Sequence, residues 1–432
     1  MAKNFCDFRI LLLVAAGVFI YIQMRLFATQ SEYADRLAAA IEAENTCTSQ
    51  MRSLIDQISL QQGRIVALEE ERNRRDQECG QMKSLVQDLE RKDVQRLINK
   101  VQVPVAAVVI MACNRADYLE RTINSVLKYQ KPISSRYPLF VSQDGSNADV
   151  RSKALSYDQL SYMQHLDLKP VQTERPGELI AYYKIARHYK WALDQLFYHH
   201  NFSRVIILED DMEIAPDFFD YFEATAALLD KDKSIMAVSS WNDNGQKQFV
   251  HDPYELYRSD FFPGLGWMLA RSTWDELLKE NHRGRQFIRP EVCRTYNFGE
   301  LGSSLGQFFR QYLEPIKLND VQVDWKSKDL SYLQEDKYAQ HFANIVAKAK
   351  PVSGVNVLQE TNNIDGDVRI KYRDQSDFEY IAGQFGIFQE WKDGVPRTAY
   401  KGVVVFRYPS TSGRRVFLVG PESLKLLRIK DS

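Results

Sequence analysis

Three adjacent carboxylates, Glu209, Asp210 and Asp211, are the residues of this 432-residue chain best suited to chemistry. Carboxylate oxygens ligate hard divalent cations, and such a cation commonly keeps positions for phosphate oxygens and water. Taken alone, an acidic triplet is more often a solvated turn. Here it follows Val205, Ile206, Ile207 and Leu208, an apolar and mostly β-branched run that reads as a strand buried on both faces. In open α/β sheets ligands gather beyond the carboxyl ends of such strands, so the triplet is aimed at a cleft. Arg115 and Asp144 stand at the ends of two further predicted strands, and His188 lies on a helix predicted just before the acidic strand. Each has an ordinary alternative. Arg115 and Asp144 serve equally as helix caps or as partners of each other, and a lone histidine is more often packed on a helix surface.

The elements that must position these residues alternate along the chain. Strands are predicted over 103–112, 139–145, 205–208 and 235–241, with helices over 116–129 and 179–197. That alternation gives a doubly wound α/β domain. Neither G-x-x-x-x-G-K-[ST] nor G-x-G-x-x-G occurs, which argues against P-loop and dinucleotide-binding proteins. Beyond about 307 the pattern shortens to strands over 368–372, 403–406 and 415–419 and a helix over 377–391, a smaller α+β domain reached through a connector at 326–333. The 368–372 strand alternates apolar and basic residues, as a half-buried strand does. A hydrophobic content of 44% supports a sizeable core, and a net charge of −1 gives no sign of nucleic acid as a partner. Cys6, Cys47, Cys79, Cys113 and Cys293 lie far apart without a C-x-x-C pair, so no structural zinc site is expected.

The N-terminus is of another kind. No charge falls between Arg9 and Arg25, and residues 10–22 are almost wholly apolar. The run has the length of a signal-peptide core, but no small-x-small cleavage site follows it and a helical segment begins at once. It therefore reads as a signal anchor: cytosolic tail 1–9, transmembrane helix 10–24, stem 25–103. Lys3 and Arg9 place the tail in the cytosol by the positive-inside rule. Such a short span suits a thin early-secretory bilayer. Residues 31–100 lack proline and carry a heptad seam through Leu37, Cys47, Met51, Leu54, Ile58, Ile65, Leu68 and Cys79, broken at Glu44, Gln61, Arg72 and Arg75. An imperfect coiled coil and a solvated single helix both fit. In an oxidising lumen the seam cysteines would bridge two parallel chains, a homodimer through the stem. Asn201, with Phe202 and Ser203, forms an N-glycosylation sequon.

Together V-V-I-M-A-C-N-R (108–115), V-S-Q-D-G (141–145), Y-Y-K-I-A-R-H-Y-K-W-A-L (182–193), I-I-L-E-D-D-M (206–212), F-F-P-G-L-G-W (261–267) and D-G-V-P-R-T-A-Y-K-G (393–402) resemble the N-acetylglucosaminyltransferase I family, of plant type, over residues 104–432. The resemblance implies a GT-A type donor-binding catalytic domain at 104–306, then a connector and C-terminal domain at 307–432. It implies Mn2+, UDP-GlcNAc as donor and oligomannose N-glycans as acceptor, in a single-pass type II protein of the Golgi membrane with its catalytic part lumenal. The reaction would be inverting transfer of GlcNAc in beta-1,2 linkage to the alpha-1,3 mannose, opening hybrid and complex glycans. Carried over, Asp211 would ligate the metal, and Asp210 and Glu209 would hold the ribose and sugar side. Arg115 and Asp144 would contact the nucleotide, and His188 and Ser304 the donor.

The sequence departs from the family in two places. Members carry the aspartate that serves as general base in a Trp/Asp-rich loop soon after the segment matching 264–269. Here Trp274, Asp275, Glu276 and Leu277 run straight into residues 278–285 without that loop. The catalytic base is thus unassigned, with Asp275, Glu276 and Glu280 as candidates to replace it. Losing a general base costs about 10²–10⁴ in rate, so weak or absent transfer is expected. A UDP-GlcNAc-binding, non-catalytic Golgi partner is the alternative. Animal relatives also pair the cysteine matching Cys113 with one after Asp144; Gly145 stands there in this chain, so Cys113 is expected free.

Overall fold

The computed structural model describes residues 5–98, 103–175, 178–277, 284–300, 306, 309–353, 357–362, 364–392 and 394–429. The chain divides into two compact units, residues 1–99 and 100–432. The first is one helix, α1 (Phe5–Ile98), so the expected anchor and stem are a single continuous element. Its stem is rich in Ala, Leu, Glu, Gln and Arg and free of proline, which favours helix throughout. A stretch beginning at Ile10 is long and apolar enough to cross a membrane. Farther on, Leu37, Met51, Leu54, Ile58, Ile65 and Leu68 of the seam are all exposed. The side chain of Cys79 lies outside the described residues.

The second unit opens with β1 (Ala107–Ala112), α2 (Ala116–Gln130), β2 (Leu139–Asp144), α3 (Ala148–Leu155), β3 (Leu160–His165), α4 (Ile180–Asp194) and β4 (Arg204–Glu209). It continues through β5 (Met212–Ile214), α5 (Phe218–Lys231), β6 (Ile235–Ser239), β7 (Leu256–Ser259), β8 (Trp267–Ala270), α6 (Arg271–Leu277), β9 (Gln286–Pro290) and β10 (Thr295–Asn297). The main sheet has the order β3-β2-β1-β4-β8-β6-β9-β7. Strands β3, β2, β1 and β4 are mutually parallel, whereas β8 lies antiparallel between β4 and β6. The sheet is therefore doubly wound in its first half and mixed beyond. Helices α2 and α5 pack on one face and α4 on the other. This is why β4 reads as a continuous apolar run: Val205, Ile206, Ile207 and Leu208 are at most 1% exposed. Each such side chain contributes about 1.5–3 kcal/mol by burial. Strand β3 and the two-stranded ribbon of β5 with β10 were not among the predicted elements.

A second sheet comes after. Beyond α7 (Glu335–Lys348) lie β11 (Lys350–Val352), α8 (Val357–Asn362), β12 (Val368–Lys371), α9 (Gln375–Phe385), the short β13 (Trp391–Lys392) and β14 (Val395–Pro396), then β15 (Val403–Arg407) and β16 (Arg415–Val419). Its order is β11-β12-β16-β15. One face, with Val403, Val405, Phe417 and Val419, joins the main core through Tyr338 and Phe342 of α7. The other packs on α9. Two expectations are corrected by this sheet. Arg369, expected on a solvent face, is buried because β12 is covered on both sides. Helix α9 stops at Phe385 rather than near 391 because Gly386 takes the left-handed conformation, φ +83°, that closes a helix.

One buried ion pair ties the start of helix α5 to the start of β10 and to the later segment that carries Asn319 and Trp325. Asp217 and Arg294 are both fully buried. Asp217 Oδ2 accepts from Arg294 Nε at 3.2 Å and from Trp325 Nε1 at 2.8 Å, and its Oδ1 accepts from Asn319 Nδ2 at 2.8 Å. Removing one partner of such a pair strands a charge in the core. Asp217→Ala should therefore destabilise the protein by about 3–5 kcal/mol, read from the urea-unfolding midpoint; an unshifted midpoint would refute this role.

Candidate functional site

The acidic turn sits where β4 ends, beside the end of the parallel neighbour β1. Arg115 occupies the N-cap position of α2 but makes no side-chain cap. Its guanidinium reaches across the strand ends instead, bonding Asp210 and lying 2.9 Å from Asp211 Oδ2. The helix-cap alternative for Arg115 fails. Thr122, nearly two turns into α2, pins the acidic turn's backbone: its hydroxyl donates to the Asp210 carbonyl at 2.8 Å and accepts from Met212 N at 3.0 Å. On the other side, Asn297 Nδ2 donates to Asp211 Oδ1 at 2.8 Å. Tyr189 OH donates to Glu209 Oε1 at 3.0 Å.

Three carboxylates with one guanidinium between them leave a surplus of negative charge in a buried place. Burial, and then repulsion from Asp211, push Glu209 up to about 7. Burial pushes Asp210 up to about 6 against the pull of Arg115. Asp211 is raised for the same first reason. The cluster favours additional positive charge, and its hard oxygens suit a divalent cation. Among the described residues no three acidic, histidine or cysteine side chains converge as a full metal cage. A cation here would be held by few protein ligands and completed by oxygens of the bound molecule. The backbone leaves space for the Asp211 carboxylate only because residue 299 is glycine: a Cβ there would stand 2.1 Å from Asp211 Oδ2.

A second group of polar side chains lies two strands away. Asp144 ends β2, and its Oδ1 is 2.8 Å from His165 Nδ1 on the adjacent β3. Its carboxylate is taken by a histidine of the next strand rather than by a helix end. His188 on α4 is buried, its Nε2 2.8 Å from Ser142 Oγ, and burial pushes it down to about 4, so its imidazole is neutral. Lys184, one helical turn before it, is exposed. Cys113 is a free thiol, raised by burial and by the nearby Asp144 and Asp210 carboxylates. Ser304 and Glu280 lie outside the described residues. Reading the sequence did not single out Thr122, His165, Tyr189, Asn297 or Gly299. Only Tyr189 adjoins a residue already chosen; the others come to the site through pairings of strands and helices that no local spacing announces.

The two described candidates for a replacement base are placed elsewhere. Strand β8 runs antiparallel to β4 with Ala270 opposite Arg204 and Trp267 opposite Ile207. Helix α6 therefore leaves the sheet at the end away from Glu209, a strand's length or roughly 15 Å off. There Asp275 accepts from Tyr198 OH at 2.6 Å, and Glu276 pairs with Arg285. Neither carboxylate faces the acidic turn. Asn201 lies at that same far end, exposed, with φ +57° and its Oδ1 accepting from Arg271 Nη1 at 2.7 Å.

A family model described as the GNT-I family matches residues 13–431. The chain is 69% identical, over the full length of both chains, to the alpha-1,3-mannosyl-glycoprotein 2-beta-N-acetylglucosaminyltransferase of Arabidopsis thaliana. That alignment runs over 446 positions, fourteen more than this chain's 432 residues fill. Among solved structures, the galactosyltransferase LgtC with donor and acceptor sugar analogues is 16% identical, covering 39% of this chain and 59% of its own, at a TM-score of 0.26. The mannosyltransferase PcManGT from Pyrobaculum calidifontis, with GDP-Man and Mn2+, is 16% identical, covering 68% and 74%, also at 0.26.

The contact at Gly299 yields a direct test. Gly299→Ala must displace the Asp211 carboxylate, and should weaken divalent-cation-dependent binding of a nucleoside diphosphate by about tenfold or more, the worth of one charged contact. Calorimetric titration that finds wild-type affinity would remove Asp211 from the cation site.

Proposed function

The chain belongs to the GNT-I family, and on that premise we propose that it is an inverting glycosyltransferase that moves GlcNAc from UDP-GlcNAc in beta-1,2 linkage to the alpha-1,3 mannose of an oligomannose N-glycan. The observation that carries the reading is the buried turn Glu209, Asp210 and Asp211 with Arg115 set across it, at the carboxyl ends of parallel strands. The donor set fits Mn2+: hard carboxylate oxygens with a surplus of negative charge. Asp211 is its proposed ligand. Bound there, the cation would neutralise charge developing on the departing UDP. Asp210 and Glu209 then face the ribose and sugar, Tyr189 fixing the Glu209 oxygen. Arg115 offsets the charge of the two aspartates, and its planar guanidinium suits contact with the nucleotide. Asp144 contacts the nucleotide, and the neutral His188 and Ser304 contact the donor. The family's GT-A architecture agrees with the mixed α/β sheet seen here.

The alignment to the Arabidopsis relative has fourteen positions that this chain does not fill, a number that would accommodate the loop expected to be missing. Asp275 and Glu276 do not stand in for it, being engaged at the far end of the sheet. Donor binding should be normal, and acceptor-dependent UDP release lower by about 10²–10⁴ than in a variant with the loop restored between Leu277 and Gly284, the usual worth of a general base. Equal turnover by both forms would disprove the dependence on the loop.

We further propose a Golgi membrane protein of single-pass type II, with α1 as signal anchor and stem, Asn201 glycosylated on the lumenal side, and two copies joined along the stem seam. The exposed apolar seam with Cys47 on it supports this pairing. The protein purified from membranes should run as a dimer on a non-reducing gel and shift to monomer in Cys47→Ser with Cys79→Ser. A monomer in the unreduced wild type would rule out the covalent pair.

A further inference from the structure

We propose that His165 is a positioning residue of the donor site, which fixes the Asp144 carboxylate so that one oxygen is presented to the nucleobase. The inference rests on the proposed placement of Asp144 at the nucleoside. Strands β2 and β3 are parallel with Asp144 in register with His165, so both side chains leave the same face of the sheet. His165 Nδ1 lies 2.8 Å from Asp144 Oδ1. No hydrogen bond to Asp144 Oδ2 occurs among the described residues, and the Asp144 side chain keeps 24% of its surface exposed. A carboxylate at an open strand end has a broad terminal torsion, and without a partner its oxygens would exchange places freely. The imidazole removes that freedom.

The imidazole is itself held. His165 is 8% exposed and stacks on His188, with centroids 5.4 Å apart and planes 12° apart. The Trp191 ring also packs against it, at 5.2 Å. Ser142, two residues before Asp144 on the same strand face, takes the Nε2 of His188. Three elements thus meet in one layer: Ser142 and Asp144 from β2, His165 from β3, His188 and Trp191 from α4. Asp144 and His188 are linked to each other through His165.

The chemistry that such a layer selects comes from its polarity. A carboxylate oxygen accepts hydrogen bonds and donates none. Uracil offers an imide N–H at the ring position where cytosine has a bare acceptor nitrogen. A fixed Asp144 oxygen therefore accepts from uracil and repels cytosine, and loses that preference if it swings.

The test is the affinity of UDP and of CDP, each with Mn2+, by calorimetry on the full-length protein. His165→Phe keeps the stacked ring and removes the N–H; it should weaken UDP about tenfold and reduce the UDP-over-CDP preference by a similar factor, the worth of one hydrogen bond to a charged group. His165→Asn restores an N–H near the same place without the ring, and should recover the preference to within about threefold. Wild-type affinity and preference in the Phe variant would overturn the proposal, and so would an Asn variant that has lost the preference, since the ring's packing alone would then be at work. Should the Phe variant fail to fold, the Asn variant decides by the same criterion. Asp144→Asn separates the two readings. If it binds UDP as the wild type does, the placement of Asp144 at the nucleoside is wrong and the inference falls with it. If it weakens UDP while His165→Phe does not, the inference alone is wrong.

Discussion

Three adjacent carboxylates cannot be carried to the end of a buried strand without compensation, and much of the second unit is arranged around that constraint. Desolvation favours protonation of Glu209, Asp210 and Asp211, and repulsion from neighbouring carboxylates adds to it at Glu209 and Asp210. Arg115 answers the charge from the first helix, Thr122 fixes the turn's backbone from the same helix, and Asn297 and Gly299 close in from the ribbon strand. Tyr189 arrives from the opposite face of the sheet. Several separate stretches of chain must fold correctly before the turn is tolerable. The residual surplus of negative charge is a standing affinity for a cation, which makes the site's instability and its chemistry the same property.

The antiparallel insertion of β8 organises the rest. By turning the chain back beside β4 it sends α6, Asn201 and the start of β9 to the far end of the sheet, and leaves the near end to β1, β2, β4 and the ribbon. The unit acquires a reactive end and a structural end. A glycan on Asn201 would be carried at the structural end, clear of the acidic turn. The C-terminal sheet shares the main core through Val403, Val405 and Phe417, so it is braced against the first sheet rather than tethered to it.

How much the sequence disclosed depends on which forces are local. The run before Glu209, the strands at β1 and β2, and helices α2 and α4 were legible because burial on both faces writes itself as apolar runs and stripes. Arg115, Asp144 and the acidic triplet were legible because strand ends collect polar groups. β3 was missed because L-S-Y-M-Q-H is neither an apolar run nor a regular alternation, and with it His165, which has meaning only opposite Asp144. Asn297 and Gly299 were missed for the same reason: the β5–β10 pairing that brings them to Asp211 joins residues more than eighty apart in sequence. Arg369 was misplaced because alternation predicts one solvent face, and here that face, shared with Phe417, lies against the main core.

The segment between α6 and β9 separates folding from turnover. Its flanks lie at the structural end, clamped by the Glu276–Arg285 pair, and the strands it joins keep their core residues: Met268, Leu269 and Ile288 are fully buried. Changing the length of a connection there alters stability only through loop closure, which varies slowly with length, by about 0.6 kcal/mol per doubling. The acidic turn and its partners Thr122, Tyr189 and Asn297 are assembled from other stretches of the chain. A chain without the loop therefore keeps its sheet, its acidic turn and the Asp144–His165–His188 layer intact. What it would forfeit on the proposed reading is a proton acceptor at the acceptor hydroxyl, a function that no packing interaction in the sheet depends on. For that reason an intact fold and an intact donor site carry no information about the base, and only the transfer step itself reports on it.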